Sequence, residues 1–320
     1  MGHSRSARSN PLHVAVLLGG PSAEREVSLR SGAAVAEALR GAGHRVTEID
    51  PATTDLATCS WRGIDVAFIA LHGRFGEDGQ VQELLEQAGV PYTGSDVASS
   101  RLAISKSATK ERLLLNGVPT APYVLIHESD AAHVIIQHAE KLGYPLVVKP
   151  DTQGSSIGVS IVPSADLLPV ALTKCFQYDS FGVLEKFIRG TEWTAGFIDD
   201  QSLPLIQIDT DRQFFDYQAK YEDDETRYQF DVRVSEDTVS RVKEAAAAAC
   251  RVVGTRGVAR VDLILDHSDR PWVLEVNTIP GFTDHSLVPK AAAQVGIRFV
   301  DLCERCLQSA LASARRRDAA

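Results

Sequence analysis

VARVDLILDHSDRPWVLEVNTIPGFTDHSLVP, residues 258–289, holds two runs rich in branched apolar residues, Arg260 to Asp266 and Pro271 to Asn277, around the turn-prone His-Ser-Asp-Arg at 267–270. Short runs bounded by turn formers read as a β-hairpin. With that loop setting the register, Asp262 faces Glu275 and Arg260 faces Asn277. Strand side chains alternate between faces, so all four project from one side. The other face then carries Val261, Leu263, Leu265, Trp272, Leu274 and Val276, which makes the hairpin amphipathic. The polar face has two readings. It is either a salt-bridged solvent face or a metal-phosphate site in which Asp262, Glu275 and Asn277 are oxygen ligands for hard Mg²⁺, and its density of ligand types favours the second.

A chain of 320 residues exceeds the usual single core, so two or three domains are expected. A net charge of -9 argues against a broad nucleic-acid surface, so the basic residues that matter are local. The five cysteines are scattered and odd in number, which fits a reducing cytoplasm better than a disulfide framework. Cys303 and Cys306 lack a second ligand pair and read as structural neighbours on a helix. No apolar run approaches the ~20 residues needed to span a bilayer, so no membrane association is expected. Residues 1–12 read as a mobile arm and 313–320 as a mobile tail.

Upstream, Val14 to Leu18 is a buried parallel strand entering Gly19-Gly20-Pro21-Ser22 and a helix from about Glu24 to Arg40. The spacing G-x-G-x-x-G is absent, so the Rossmann fingerprint is not met. Strands at His44 to Asp50 and Asp65 to Leu71 continue a βαβ pattern, with a helix from about Gln80 to Gln87 after them. Ligands in open α/β sheets collect beyond the carboxyl ends of strands, where Glu24 and His72 stand. Glu24 is equally readable as a helix N-terminal charge, and His72 as a structural histidine. Ser95 to about Asn116 reads as helical with Lys106 and Lys110 a turn apart, and a helix from Ser129 to Leu142 lies between strands at Tyr123 to Ile126 and Leu146 to Val148.

Lys149 closes an apolar strand, and Gly154, Ser155, Ser156 and Gly158 follow before another strand from Val159. This is either a flexible phosphate lid, offering N–H groups, hydroxyls and a compact cation, or a hairpin that happens to be glycine-rich. Val183 to Ile188 is a strand whose free backbone at Lys186 and Ile188 can read an adenine edge beside Glu185, while Glu192 can hold ribose hydroxyls; an ordinary surface strand reads the same way. The aromatic segment Phe214 to Phe230 is irregular and long for a loop, and its aromatic content favours function. Beyond the hairpin, Pro280-Gly281 makes a turn, and Asp284, His285 or Ser286 can cap the next helix, whose N-terminus is a carboxylate site.

In order, LLGGPSAEREVSLRSG, ALHGRFGEDG, VVKPDTQGSSIGVS, LEKFIRGTEWT, DYQAKY, ARVD, LEVNTIPGFT and HSLVP resemble D-alanine-D-alanine ligases of the ATP-grasp group, from about Val14 to Leu307. The resemblance implies an α/β fold, α+β in the C-terminal half, in a three-domain ATP-grasp architecture with an N-terminal open parallel sheet. The domains are 13–94 on the first-substrate side, 95–189 in the centre and 190–312 as the catalytic part. It implies phosphate binding by Lys106, Lys149 and Lys220 with Ser156, and adenine and ribose contacts at Glu185, Lys186, Ile188 and Glu192. Asp262, Glu275 and Asn277 match ligands of Mg²⁺ or Mn²⁺, as two ions. Glu24 matches the residue holding the first D-alanine's ammonium, with His72 nearby and Ser155 and Tyr221 completing a closing triad. Arg260 and the Gly281 N–H match the oxyanion donors, and Ser286 with Leu287 the second carboxylate's site.

The implied activity is ATP-dependent joining of two D-alanines through an acylphosphate, for peptidoglycan precursors, in a cytoplasmic homodimer. Ala259 stands where the family often has glycine, and YQFDVRVSED at 228–237 lacks the usual Pro-Ala. Tyr221 favours a dipeptide over a D-alanyl-D-lactate ester. A related ligase using another D-amino or D-hydroxy acid, or a nucleotide-binding regulator without turnover, are the alternatives.

Overall fold

A computed structural model describes residues 10–209, 227–232, 234–283 and 286–318. Lys220, Tyr221, most of the aromatic segment and the capping candidates Asp284 and His285 lie outside the described residues.

Strand β1 (His13–Leu17) leads into helix α1 (Arg25–Gly41), β2 (Arg45–Ile49) and β3 (Val66–Ile69), forming a parallel sheet of order β2-β1-β3. The continuous apolar run of β1 follows from burial on both faces. Val14 and Val16 pack with Val35 and Leu39 of α1, while Ala15 and Leu17 join the core that includes Val81 and Leu85 of α2 (Gln80–Gln87).

The helical stretch expected over 95–116 is present as two helices, α3 (Val97–Ile104) and α4 (Lys106–Leu115). Ser105 breaks them at φ -83°, ψ 111°, and its hydroxyl accepts from the Ala108 N–H. The cause is tertiary: Asp151 accepts from the Ser105 hydroxyl and the Ser107 N–H, each at 2.7 Å, and so holds the start of α4. Ala103, Leu113 and Val118 from this segment pack into the core behind the C-terminal sheet.

Next come β4 (Tyr123–His127), α5 (Ala132–Leu142), β5 (Leu146–Pro150), β6 (Ser160–Val162), α6 (Leu168–Phe176) and β7 (Phe181–Lys186), an antiparallel sheet of order β4-β7-β5-β6. Helix α5 begins three residues later than Ser129 suggests, because the chain turns at Asp130, whose carboxylate accepts from the His127 N–H at 2.7 Å. One face buries Ile126, Leu146, Val148 and Leu184. On the other, Tyr123, Glu185, Val147 and Ile161 form a row across four strands.

The largest sheet comprises β8 (Gly190–Ile198), β9 (Gln201–Ser202), β10 (Ile206–Asp209), β11 (Arg227–Gln229), β12 (Val258–Asp266) and β13 (Pro271–Asn277), with helix α7 (Glu236–Val253) between β11 and β12. Strand β11 falls in the segment read as irregular; it finds its partner in β10, 18 residues back from Arg227 to Asp209 in the register. Helix α7 starts at a Ser235 cap and lays Ala245, Ala246 and Ala249 against Val261, Leu263, Val273 and Val276. Helices α8 (Leu287–Gln294) and α9 (Phe299–Asp318) follow. Cys303 and Cys306 are buried free thiols of α9, pushed up by desolvation. Helix α9 continues to Asp318, into the segment that composition marks as a tail, and its Ser313 is buried.

The hairpin keeps its expected register only at the polar end: Arg260 opposes Asn277 and Asp262 opposes Glu275. Leu263 then opposes Val273, leaving Leu274 as the extra residue of a β-bulge. The loop accounts for the slip. The Asp266 N–H donates to the Arg270 carbonyl at 3.0 Å, and the Asp266 carboxylate accepts from the Ser268 and Arg270 N–H groups and the Trp272 indole, which brings Arg270 opposite Asp266. Val273 therefore takes the core place assigned to Leu274, and Leu274 joins Ile264 on the cleft side.

Candidate active site

The four-stranded sheet and the largest sheet enclose an open cleft with about 830 Å³ of empty space. Lys106, Lys149, Ser156, Glu185, Lys186, Ile188 and Glu192 all line it, together with Asp262 and Glu275. Its apolar walls are Val147, Val159, Ile161 and Phe187 on one side and Ile264 and Leu274 on the other. Such a slot takes a flat ring between aliphatic side chains, with cations and carboxylates left for a polyanionic tail.

The cations sit at element ends. Lys149 closes β5, and its Nζ lies 2.8 Å from Glu185 Oε2. Lys106 opens α4 and donates to the Gln153 carbonyl at 2.6 Å, tying the helix start to the Gly-Ser loop. Behind the wall, Lys110 Nζ reaches the same Glu185 oxygen at 2.7 Å. Lys110 is fully buried, and desolvation lowers its pKa to about 8 against the attraction of Glu185. Its spacing from Lys106 was visible in the sequence, but nothing local said that this lysine points inward.

On the hairpin's polar face, Asp262 gathers four donors. Arg260 gives Nε and Nη2 at 2.8 Å each, the Thr194 hydroxyl donates at 2.7 Å, and the Asn277 amide at 3.2 Å. Thr194 lies on β8 directly opposite Asp262, a cross-strand partner that a reading of the hairpin alone misses. Two carboxylates and an amide oxygen on one face fit a hard divalent cation. Among the described residues no cluster of three or more His, Cys, Asp or Glu side chains gathers, so a cation here would need ligand oxygens as well.

Lys106 and Glu275 also line a smaller bay that reaches Gly154, Asn277 and Thr278. On the far side of Gly154 stands Glu24, buried at the N-cap position of α1, one residue before the helix begins. The Ser155 hydroxyl donates to Glu24 Oε1 across 131 residues of sequence. Both Ser155 and Ser156 are left-handed, at φ 49° and 58°, a conformation that costs non-glycine residues about 1 kcal/mol or more and recurs at functional sites. Arg25 and Asp50 brace the turn before Glu24: Arg25 donates to the Gly20 carbonyl and to both Asp50 oxygens. The Arg25 hydrogen bond holds the Asp50 carboxyl down at about 2.

His72 is buried, with Nε2 3.1 Å from the Ser31 hydroxyl in a hydrogen bond and Nδ1 near Glu77 at 3.7 Å. Ser31 also accepts from the Phe282 N–H at 3.4 Å, linking α1 to the turn at Gly281. Ser286 stands at the N-cap position of α8 but makes no cap; its oxygen accepts from the Thr283 N–H at 3.0 Å and meets the Thr283 hydroxyl at 2.9 Å. The capping role therefore fails, because the turn draws the hydroxyl back. Leu287 opens α8 beside it. No local signal marks Ser31 inside α1, Thr194 inside β8 or Asp151 just past β5, because their partners are distant in sequence.

A cleft between two antiparallel sheets, with lysines on one wall and a carboxylate-bearing hairpin on the other, defines the ATP-grasp class. Family models described as D-ala D-ala ligase N-terminus and D-ala D-ala ligase C-terminus match residues 47–95 and 113–308. The chain is 45% identical over 295 residues to the D-alanine-D-alanine ligase of Nitrosomonas europaea, spanning 92% of this chain and 96% of that one. It is 42% identical over 308 residues to that of Pelotomaculum thermopropionicum, spanning 94% and 97%. Its structure resembles the Bacillus anthracis ligase complexed with ATP, at TM-score 0.84, 31% identity and coverage of 96% and 99%. It also resembles the Coxiella burnetii ligase, at TM-score 0.84, 26% identity and coverage of 97% of each chain. The chain belongs to the D-alanine-D-alanine ligase family. Among the described residues, no helix is long and apolar enough to cross a membrane.

Proposed function

We propose that the protein joins two D-alanines at the expense of ATP, supplying the dipeptide for peptidoglycan precursors in the cytoplasm. The observation that carries this is continuity: Lys106 and Glu275 line both the nucleotide-shaped cleft and the bay leading to Gly154, against which Glu24 lies. Adenine lies between Val147, Ile161 and Leu274, with Glu185 and the backbone of Lys186 and Ile188 at its edge and Glu192 at the ribose. Phosphates extend toward Lys106, Lys149 and Ser156, with Lys220 as a further cation. Residues 13–94 hold the first amino acid, while 95–189 and 190–312 grip the nucleotide.

The first D-alanine, its ammonium on Glu24 with His72 nearby, attacks the γ-phosphorus through its carboxylate; an acylphosphate forms and ADP leaves. Lys106 and Lys149 neutralise charge that grows on the phosphoryl oxygens. Mg²⁺ or Mn²⁺, as two ions held by Asp262, Glu275 and Asn277, supplies further charge neutralisation when bound. The amine of the second D-alanine, once deprotonated and with its carboxylate on Ser286 and the Leu287 N–H at the start of α8, then attacks the acyl carbon, and the proton it loses as the amide forms leaves with the phosphate. Arg260 and the Gly281 N–H hold the resulting oxyanion before phosphate departs. Ser155 on Glu24, with Tyr221, keeps the loop closed and water away from the acylphosphate. The homodimer implied by the resemblance is part of this proposal.

ADP release measured against alanine is the direct test. Release should depend on D-alanine and be absent with L-alanine; stimulation by L-alanine would overturn the reading. A second experiment isolates the Glu24 pocket. Gly73 has φ +68°, and a Cβ there would lie 2.5 Å from Glu24 Oε2, so Gly73→Ala both strains the turn and displaces the carboxylate. kcat/KM for D-alanine should fall on the order of 10²-fold, with ADP affinity by calorimetry unchanged. A wild-type D-alanine profile would remove Glu24 from substrate binding.

A further inference from the structure

Lys110 is the buried charge that this scheme leaves without work. Its Nζ touches Glu185 Oε2 at 2.7 Å, donates to the Thr120 hydroxyl at 2.6 Å and stands 5.7 Å from the centre of the Tyr123 ring. The Thr120 hydroxyl in turn donates a hydrogen bond to the Val273 carbonyl at 2.7 Å, so the ammonium is anchored from the hairpin side too. Lys149 approaches the same Glu185 oxygen at 2.8 Å, but its side chain is 10% exposed and lines the cleft, whereas Lys110 is sealed at 0%. One carboxylate is thus shared by two ammoniums, one behind the wall and one at its surface. Their charges sum to +1, and only Lys149 can present that charge to a ligand.

We propose that Lys110 is a positioning residue for the phosphate grip: by satisfying Glu185 from behind, it leaves Lys149 able to turn its ammonium to the nucleotide's phosphates. Without Lys110, Glu185 and Lys149 become an isolated ion pair in a poorly solvated wall, where mutual attraction is strong. Lys149 is then held back, and the Glu185–Lys149 pair offers phosphate no net charge, leaving Lys106 as the phosphate-side cation on that wall. This rests on the reading of the cleft as an ATP site.

Calorimetry with ADP and with adenosine separates the possibilities, because only ADP uses the phosphate grip. Lys110→Met should weaken ADP binding by about tenfold or more, the scale of one charge contact, and adenosine binding by less than about threefold. The double variant Lys110→Met with Glu185→Gln removes the trap along with its filler. It should return the ADP-to-adenosine affinity ratio to the wild-type value, whatever the amide does to adenine, since that change affects both ligands alike. Equal loss of ADP and adenosine affinity in Lys110→Met would mean a purely structural lysine and overturn the inference. If Lys110→Met does not fold, the double variant still decides, because it leaves no unpaired buried carboxylate; a ratio below wild type there overturns the inference. Wild-type protein that binds no ADP would instead overturn the ATP reading itself, whereas wild-type binding with an unchanged ratio in Lys110→Met overturns only the role of Lys110.

Discussion

Arg260→Ala is expected to lower the D-alanine-dependent turnover by ~10²–10³, equivalent to roughly 3–4 kcal/mol of lost transition-state stabilisation. The guanidinium is fixed by two 2.8 Å bonds to Asp262, on the hairpin face that also bears Glu275 and Asn277. On the proposed mechanism this fixed guanidinium is the donor for charge that develops only in the tetrahedral state. The substitution also strips one partner from a mostly buried pair, with side chains 13% and 7% exposed, so some stability is lost as well. Thr194 and Asn277 still donate to Asp262, which limits that loss. Arg260→Lys keeps the charge but not the fork, and should recover only part of the rate at near wild-type melting temperature. Initial rates of ADP release with a thermal melt on each variant separate chemistry from folding. Undiminished turnover in a folded Arg260→Ala protein would remove this residue from acyl transfer.

Trp193→Ala is expected to have the largest effect on stability. Trp193 is fully buried on β8, with Val261, Leu263 and Val242 in the same core. Truncation of such a side chain costs about 3–5 kcal/mol, a fall in melting temperature of about 4–7 °C for a chain of this size. The consequence reaches the site because its two neighbours in sequence face the other way. Glu192 lines the cleft, and Thr194 holds Asp262. ADP affinity should therefore fall along with stability, whereas Trp193→Phe, which refills most of the volume, should soften both losses. A melting temperature within about 2 °C of wild type for the alanine variant would mean that the core closes over the gap, contrary to the packing argument.

Much of the site could be read before any coordinates. The seven nucleotide contacts nominated outside the aromatic segment share one cleft, because each is near a strand or helix end, and ends are where α/β and antiparallel layers expose chemistry. The pairing of Arg260 with Asn277 and Asp262 with Glu275 also followed from sequence. Other details did not follow from local pattern, although the contact of Ser155 with Glu24 that the resemblance implies is present. Ser105 divides the helical stretch in two, because Asp151, just past the end of β5, holds the start of α4. Ser286 has the residue type and position of a cap, yet its hydroxyl is drawn to Thr283. Lys110 looks like a second surface lysine one turn from the first, and it is the most buried cation of the cleft wall.

The sequence by itself determined the order of strands and helices, the alternation that puts a charged face and an apolar face on the hairpin, and which residue types stand where chemistry needs them. These properties have periods of two or about four residues and are carried by the backbone's own geometry. Tertiary structure alone decided the bulge that turns Leu274 into the cleft and the burial of Lys110 behind Glu185. Both depend on competition between groups far apart in the chain. A core that accepts Val273 and a carboxylate that two lysines share exist only once the layers have packed, so no local pattern encodes their outcome.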